Sequence, residues 1–149
     1  VEFYGFGSSA AVAFDAQHKF FRLQITSAAY SDPHLQNMSA ISLKPNDVVI
    51  AISQSGRTQT LLDSMALAKQ SGGIVIALAP SGTPVAKQAS IAIEVNATED
   101  TQIFTPLSSR IAHLVMIDVL AIGVAQKKGP KLEEHLQLMQ AGLSSLRSQ

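Results

Sequence analysis

The stretch VVIAISQSGRT, residues 48–58, joins a run that is apolar at every position to a cluster of hydroxyl side chains. A short run of this kind is typical of a central parallel strand that is covered on both faces. The polar part holds Ser53, Ser55 and Thr58 around Gly56. We therefore predict a buried strand over residues 48–52, a hydroxyl-rich loop after it, and a helix that opens at Thr58.

The segments on either side of this strand alternate between strand-like and helix-like patterns. Short apolar or aromatic runs predict strands at residues 1–6, 25–30, 48–52, 74–79 and 91–95. Stretches of helical composition separate them, and Asp32 followed by Pro33 is typical of a helix start. The last run alternates apolar with other residues, which indicates an edge strand. This order predicts an α/β domain with a parallel sheet between two layers of helices.

The composition limits the classes of function. A chain of 149 residues fits one domain of ordinary size. Lys plus Arg and Asp plus Glu each number 11, so no basic excess supports binding of nucleic acid by this chain alone. The absence of cysteine excludes disulfides and thiolate metal sites, and it suits a reducing, cytoplasmic location.

The most apolar segment, residues 114–125, lies in a long helix predicted at 105–127. It is shorter than the ~20 apolar residues that a membrane span requires, and it contains Asp118. We therefore predict a buried helix and no membrane partner. The chain begins at VEFYGFG without a Met or a signal pattern, and we expect it to be a fragment of a longer protein.

A second hydroxyl-rich turn follows the first predicted strand, in GFGSSA at residues 5–10. The stretch matches the dinucleotide fingerprint G-x-G-x-x-A, and it precedes a helix as that fingerprint does. Ser8 and Ser9 equally suit a phosphate or a sugar, because free N–H groups at a helix N-terminus favour an anion. A tight turn that only needs small residues for packing is the third interpretation.

The two turns together predict one pocket more specifically than either does alone. Ligands of parallel sheets bind at the carboxyl ends of the strands, near the point where the strand order reverses. A helix cap uses one Ser or Thr, whereas the 53–58 loop has three. We therefore favour a phosphate site over a simple cap.

These motifs resemble the sugar isomerase (SIS) domain, a phosphosugar-binding α/β unit. The resemblance rests on G-S-S after the first strand and S-x-S-G-x-T after the third, and it spans the whole chain. The stretches EFYGFGSSAAVAFDAQHKFFRL, AAYSDPHLQNMSA and TPLSSRIAHLVMIDVLAIGVA are similar in particular to the effector domain of RpiR-family transcriptional regulators of the HexR type. The resemblance implies a three-layer αβα sandwich with a mostly parallel five-stranded sheet in flavodoxin-like order.

The resemblance also implies a function and partners. In that family an N-terminal helix-turn-helix domain, which this chain lacks, binds DNA, and the SIS domain senses a phosphosugar. HexR-type members respond to 2-keto-3-deoxy-6-phosphogluconate. We therefore expect a phosphorylated sugar acid as ligand, no cofactor, and contact with DNA only through the missing domain.

Carried onto this sequence, the resemblance implies a set of ligand-binding residues. Phosphate would be bound by the hydroxyls and backbone N–H groups of Ser53, Gln54, Ser55, Gly56 and Thr58. The sugar end would contact Ser9, with Ser8 beside it.

Three further residues are candidates with an open alternative. His34 follows the second strand and is either a ligand residue or an ordinary surface histidine. Arg57 either binds the carboxylate of the ligand or lies in solvent. Glu99 lies where SIS isomerases are expected to keep a basic glutamate, but its neighbours are typical of a solvated turn.

The long helix contains polar residues whose roles the sequence leaves open. Arg110 lies near the helix N-terminus, where a cation is unfavourable, so it needs an anionic partner from a ligand, a subunit or a nearby acid. His113 and Asp118 are predicted to be paired core or interface groups. This helix and a C-terminal leucine stripe carry more apolar surface than a small domain easily buries, which predicts a homodimer or a larger assembly.

Two classes of function fit this pattern, and we favour an effector sensor that is not an enzyme. The alternative is a phosphosugar isomerase that uses the same pocket. Isomerisation needs a general base and a second proton-transferring group, for which Glu99 and His34 are the candidates. Binding of a nicotinamide cofactor through GFGSSA is a third hypothesis.

Overall fold

The structure is a computed structural model that describes residues 1–98 and 106–146. In chain order its elements are β1 (Glu2–Gly5), α1 (Ser8–Arg22), β2 (Ala28–Tyr30), α2 (Pro33–Ser42), β3 (Val48–Ile52), α3 (Gln59–Gln70), β4 (Ile74–Ala79), α4 (Pro84–Gln88), β5 (Ile91–Glu94), α5 (Ser108–Lys128) and α6 (Pro130–Leu146). The predicted strand at 25–30 is shorter than expected. Residues before Ala28 complete the turn after α1, where Gln24 has a positive φ and the Ile25 N–H donates to the Phe20 carbonyl.

Within the described residues, five strands form one sheet in the order β2-β1-β3-β4-β5, and every neighbouring pair is parallel. The fold class is confirmed, and the strand at 91–94 is an edge strand as predicted. The order of the strands reverses between β1 and β3, because β2 lies on one side of β1 and the later strands lie on the other.

The core lies on both faces of the sheet, and neighbouring residues of β1 point into opposite halves of it. Tyr4 packs in the cluster with side chains from α2, α3 and α4, while Phe3 packs in the cluster with α1 and α5. Phe3 also makes an edge-to-face contact with Phe20 of α1, with 5.1 Å between the ring centroids. These two clusters produce the three layers.

The α5 helix is not buried as the sequence predicted. Its buried residues are Ser109, His113 and Ile117, while its opposite face is exposed. Because the helix lies in an outer layer, only one face can pack on α1 and the sheet. In the described part of the chain it is the one helix whose length and composition would suffice to cross a membrane, a test that a core helix of a soluble protein also passes.

Candidate functional site

A cleft of about 340 Å³ opens at the carboxyl ends of β1 and β3, at the point where the strand order reverses. Both hydroxyl-rich turns contribute to its wall, so the predicted convergence of the two turns is observed. Its lining residues are Phe6, Gly7, Ser8, Ser9, Ile52, Ser53, Gln54, Ser55, Thr58, Leu61 and Pro106. Two helix N-termini, those of α1 and α3, therefore border one cavity.

The loop after β3 is held in shape by its own hydroxyl groups. Ser53 is buried, and its Oγ accepts a hydrogen bond from the Gly56 N–H at 2.9 Å. The Ser55 Oγ accepts from the Arg57 N–H at 3.3 Å. The Gly56 N–H, which the sequence analysis assigned to phosphate, is thus already used within the loop. Each serine hydroxyl keeps its own hydrogen for donation to a ligand oxygen.

Gly56 lets the loop turn beneath the cleft. Its φ is +62°, and an added Cβ would lie 2.2 Å from the Thr83 Oγ1. The Gly56 carbonyl also accepts from the Val85 N–H at 3.0 Å, which ties the loop to α4. Only glycine fits this combination of backbone angle and close approach.

The hydroxyls at the two helix starts are not used as helix caps. Thr58 is the N-cap of α3, yet among the described residues its side chain makes no capping hydrogen bond. Ser8 begins α1, whose N-cap is Gly7. These half-buried hydroxyls face a cavity at a positive helix end, where an anion is favoured.

Four of the ten predicted site residues lie elsewhere or outside the described part. His34 is exposed in the first turn of α2, beyond β2, on the side of β1 that faces away from β3. Arg57 is exposed and does not line the cleft, and Gly56 is buried beneath the loop. Glu99 falls outside the described residues.

The start of α5 also contributes to this region; the sequence analysis kept a ligand among the possible partners of Arg110 but did not name Pro106 or Ser109 as site residues. Pro106 lines the cleft, and a narrow adjoining crevice is lined by Ser8, Ser9, Val12, Gln54, Ser109, Arg110 and His113. Ser109 and His113 are buried. The sequence TPLSSR is a third hydroxyl-rich helix start, and this repetition of the earlier pattern could have indicated it.

Asp118 in the middle of α5 has a structural partner. The Lys19 Nζ lies 2.5 Å from one Asp118 carboxylate oxygen and 2.9 Å from an Asp15 oxygen. Hydrogen bonding to these two carboxylates raises the pKa of Lys19 above its ordinary value. The ion pair between Lys19 and Asp118 joins α1 to α5 on the protein surface and lies away from the cleft.

A second cleft of about 320 Å³ opens mainly at the amino ends of the strands, near Glu2, Ser27 and Asp47. Its volume is close to that of the first, so size does not distinguish the two. The first cleft has two helix N-termini and a cluster of hydroxyls, and it lies where parallel sheets bind ligands. We therefore take the cleft at the carboxyl ends as the functional site.

Comparison with known proteins identifies the family of the chain. The SIS domain family matches residues 1–123. The HTH-type transcriptional regulator HexR of Escherichia coli (strain K12) is 42% identical over 147 residues, which cover 99% of this chain and 51% of that protein. The bifunctional protein glk of Burkholderia thailandensis (strain ATCC 700388 / DSM 13276 / CCUG 48851 / CIP 106301 / E264) is 45% identical over 139 residues, which cover 93% of this chain and 22% of that protein.

A solved structure has the same fold. The Vibrio vulnificus NanR protein complexed with ManNAc-6P superposes with a TM-score of 0.88 at 21% identity, covering 99% of this chain and 56% of that chain. This chain spans about half the length of HexR, and the family match includes both hydroxyl-rich turns. The sequence and the fold agree, and the chain belongs to the SIS domain family.

Proposed function

We propose that this chain is the effector-binding domain of a HexR/RpiR-type transcriptional regulator of sugar catabolism. Its ligand is a phosphosugar acid such as 2-keto-3-deoxy-6-phosphogluconate, and binding is relayed to a DNA-binding domain elsewhere in the protein. The observation that carries the proposal is the convergence of two uncapped, hydroxyl-rich helix N-termini on one cleft. The 42% identity to HexR supports the regulatory role.

The phosphate binds the loop after β3. Ser53, Ser55 and Thr58 donate their hydroxyl hydrogens, and the Gln54 backbone N–H adds to them. Gly56 provides the backbone turn, since its own N–H is bonded to Ser53. Hydrogen bonds to a charged phosphate are stronger than those between neutral groups, so a few of them suffice for specific binding.

The sugar end of the ligand lies against the start of α1. Ser8 and Ser9 line the cleft there, and Phe6 and Leu61 provide apolar wall. The NanR structure with this fold holds ManNAc-6P, a phosphorylated sugar, which supports a ligand of this chemical class. His34 does not line the described wall of the cleft, and the contact of Glu99 with the ligand stays a prediction.

Ligand binding acts by shifting the protein between conformations. A ligand changes such an equilibrium only when it binds the two states unequally, and loops at helix N-termini supply that difference by closing on phosphate. We propose that the signal passes through a homodimer whose interface includes α5. The protein is cytoplasmic, as its regulator relatives and its lack of cysteine suggest.

Calorimetric titration with 2-keto-3-deoxy-6-phosphogluconate tests the proposal. Ser53→Ala combined with Thr58→Ala should lower the affinity by roughly 100-fold or more, because each of the two lost hydrogen bonds to a charged group is worth about 1.5 to 3 kcal/mol. Thr60→Ala is the matched control, since Thr60 is exposed on α3 and does not line the cleft. An unchanged affinity of the double variant refutes the phosphate assignment.

The enzyme alternative makes a different prediction. A phosphosugar isomerase needs a general base within hydrogen-bond reach of the proton it moves. Among the described residues that line the cleft, none has a carboxylate or imidazole side chain, and the imidazole in the adjoining crevice, that of His113, is buried. Turnover of ketose phosphates by the purified protein, lost in Glu99→Gln, would establish the isomerase instead of the sensor.

A further inference from the structure

Arg110 lies next to the cleft in the first turn of α5. It lines the narrow crevice together with Ser8, Ser9 and Gln54, and these three residues also line the cleft itself. The crevice borders the proposed ligand site on the side of α5 and is itself too narrow to admit a ligand group, so Arg110 lies at the edge of the cleft. The side chain is half-buried, so it is held near the site without being removed from solvent.

The position of Arg110 favours an anionic partner. The N-terminus of a helix carries partial positive charge, so a guanidinium there is unfavourable unless an anion lies close to it. The ion pairs found in the described part of the chain join Lys19 to Asp15 and to Asp118, and neither involves Arg110. The start of α5 also has no acidic residue in its first turn.

Neighbouring side chains fix where α5 begins. Ser109 and His113 are buried on the inner face of the helix, against Ser9 and Val12 of α1. His113 lies one turn after Arg110, so the two residues project from the same side of α5. Packing of this face therefore sets the position of Arg110 relative to the cleft.

Arg57 is the other arginine near the site, and its geometry is less suitable. It is exposed, its backbone N–H is bonded to Ser55, and its side chain does not line the cleft or the crevice. Of these two arginines, only Arg110 lines a space that shares wall residues with the cleft.

We propose that Arg110 binds the carboxylate of the ligand, and that it makes the site selective for phosphorylated sugar acids over neutral sugar phosphates. This inference rests on the proposed function. The phosphate lies on the loop after β3, and the carboxylate lies towards α5. A guanidinium suits this role because its planar fork pairs with both oxygens of a carboxylate.

Two ligands that differ only at the relevant group provide the test. The open-chain compounds 6-phosphogluconate and sorbitol 6-phosphate differ in a carboxylate against a hydroxymethyl group. By calorimetric titration the unaltered protein should prefer 6-phosphogluconate by roughly 10- to 100-fold, the value of one charge-assisted pair. Arg110→Gln should remove this preference while leaving the affinity for sorbitol 6-phosphate within about twofold.

Matched variants separate this role from general damage. Arg110→Lys keeps the charge and should retain part of the preference, since a lysine pairs as a point charge. Arg22→Gln removes an exposed arginine at the far end of α1 and should change neither affinity. Thermal unfolding of each variant shows whether the fold is intact.

Three outcomes would overturn the inference. One is equal affinity of the unaltered protein for both ligands, and another is a preference that survives in Arg110→Gln. A preference that is lost in Arg57→Gln and kept in Arg110→Gln assigns the carboxylate to the other arginine. Failure of the proposed function is distinguishable, because the unaltered protein would then bind neither compound, nor 2-keto-3-deoxy-6-phosphogluconate.

Discussion

Gly56 illustrates how one residue fixes the geometry of the site. It sits in the loop after β3 with φ at +62°, and the space where a side chain would begin is filled by Thr83. Its N–H donates a hydrogen bond to the Ser53 Oγ, and its carbonyl accepts one from the Val85 N–H in α4. A single backbone position therefore shapes the proposed phosphate loop and joins that loop to the next helix.

We expect Gly56→Ala to destabilise the domain by about 2 to 5 kcal/mol. The left-handed backbone costs roughly 1 to 2 kcal/mol for any residue with a Cβ, and the contact with Thr83 adds an overpacking cost of about 1 to 3 kcal/mol. Urea denaturation measures the change in the free energy of unfolding.

Gly82→Ala is the matched control, because Gly82 has φ at +69° and no atom within 4 Å of the added Cβ. It should show the backbone cost alone, about 1 to 2 kcal/mol. Equal destabilisation by the two variants would show that the approach to Thr83 has no energetic consequence.

At the scale of elements, β1 contributes side chains to the core clusters on both faces of the sheet. Phe3 and Tyr4 face opposite sides of the sheet, and both are fully buried. The Tyr4 hydroxyl donates to the Glu2 carboxyl at 2.8 Å, and the Ser39 hydroxyl of α2 bonds to the same carboxyl oxygen. This group ties β1 to α2, and burial raises the pKa of Tyr4 well above its ordinary value.

The raised pKa of Tyr4 predicts a loss of stability in alkaline solution. The folded protein keeps the phenol proton at a pH where the unfolded chain releases it, so the free energy of unfolding falls as the pH rises above about 10. Lys19 also has a raised pKa and contributes a fall that begins in the same range. Tyr4→Phe should therefore reduce the slope without abolishing it.

Urea denaturation at pH 7, 9.5 and 11 checks this prediction. At pH 7 the variant should lose about 1 kcal/mol, because one buried hydrogen bond is removed. The difference between the two proteins should shrink or reverse at pH 11. Parallel pH dependence of the two proteins would contradict the assignment of the alkaline loss to Tyr4.

At the scale of the whole molecule, the outer layer formed by α1 and α5 carries a large apolar surface. The two helices run side by side in the same direction, since Lys19 pairs with Asp118 and the Lys128 Nζ donates to the Gln24 carbonyl. On this layer Phe14, Phe21, Ile111, Val115, Val119 and Ile122 are between 49% and 63% exposed. A group of exposed apolar side chains of this kind is typical of a protein–protein interface.

We expect this α1–α5 surface to mediate self-association. Val115→Lys combined with Val119→Lys places two charges in its centre, and it should weaken the dimer at least 10-fold by the cost of desolvating them. Sedimentation equilibrium measures the dissociation constant. Ile41→Lys on α2 is the control, since it adds the same charge to an exposed apolar position in the opposite layer. A monomeric unaltered protein would refute the prediction.

The sequence by itself determined the order of the elements and the two hydroxyl-rich turns. Local patterns suffice for these features: a short β-branched run such as VVIAI is typical of a strand buried on both faces, and Asp32 caps α2 as predicted, accepting from the Leu35 N–H at 2.9 Å. The turns follow β1 and β3, and parallel strands end at the same edge of a sheet. The convergence of these turns could therefore also be expected.

The tertiary structure alone decided which polar side chains reach the cleft and which face of α5 is buried. Both depend on how the layers pack, and residues distant in sequence determine that packing. His34 follows the edge strand β2 and does not line the cleft, while Arg110, more than 50 residues after the 53–58 loop, lines a crevice together with Gln54. The apolar composition of α5 predicted burial, but a helix in an outer layer has only one inner face, so the apolar residues of its outer face, Ile111, Val115, Val119 and Ile122, remain exposed.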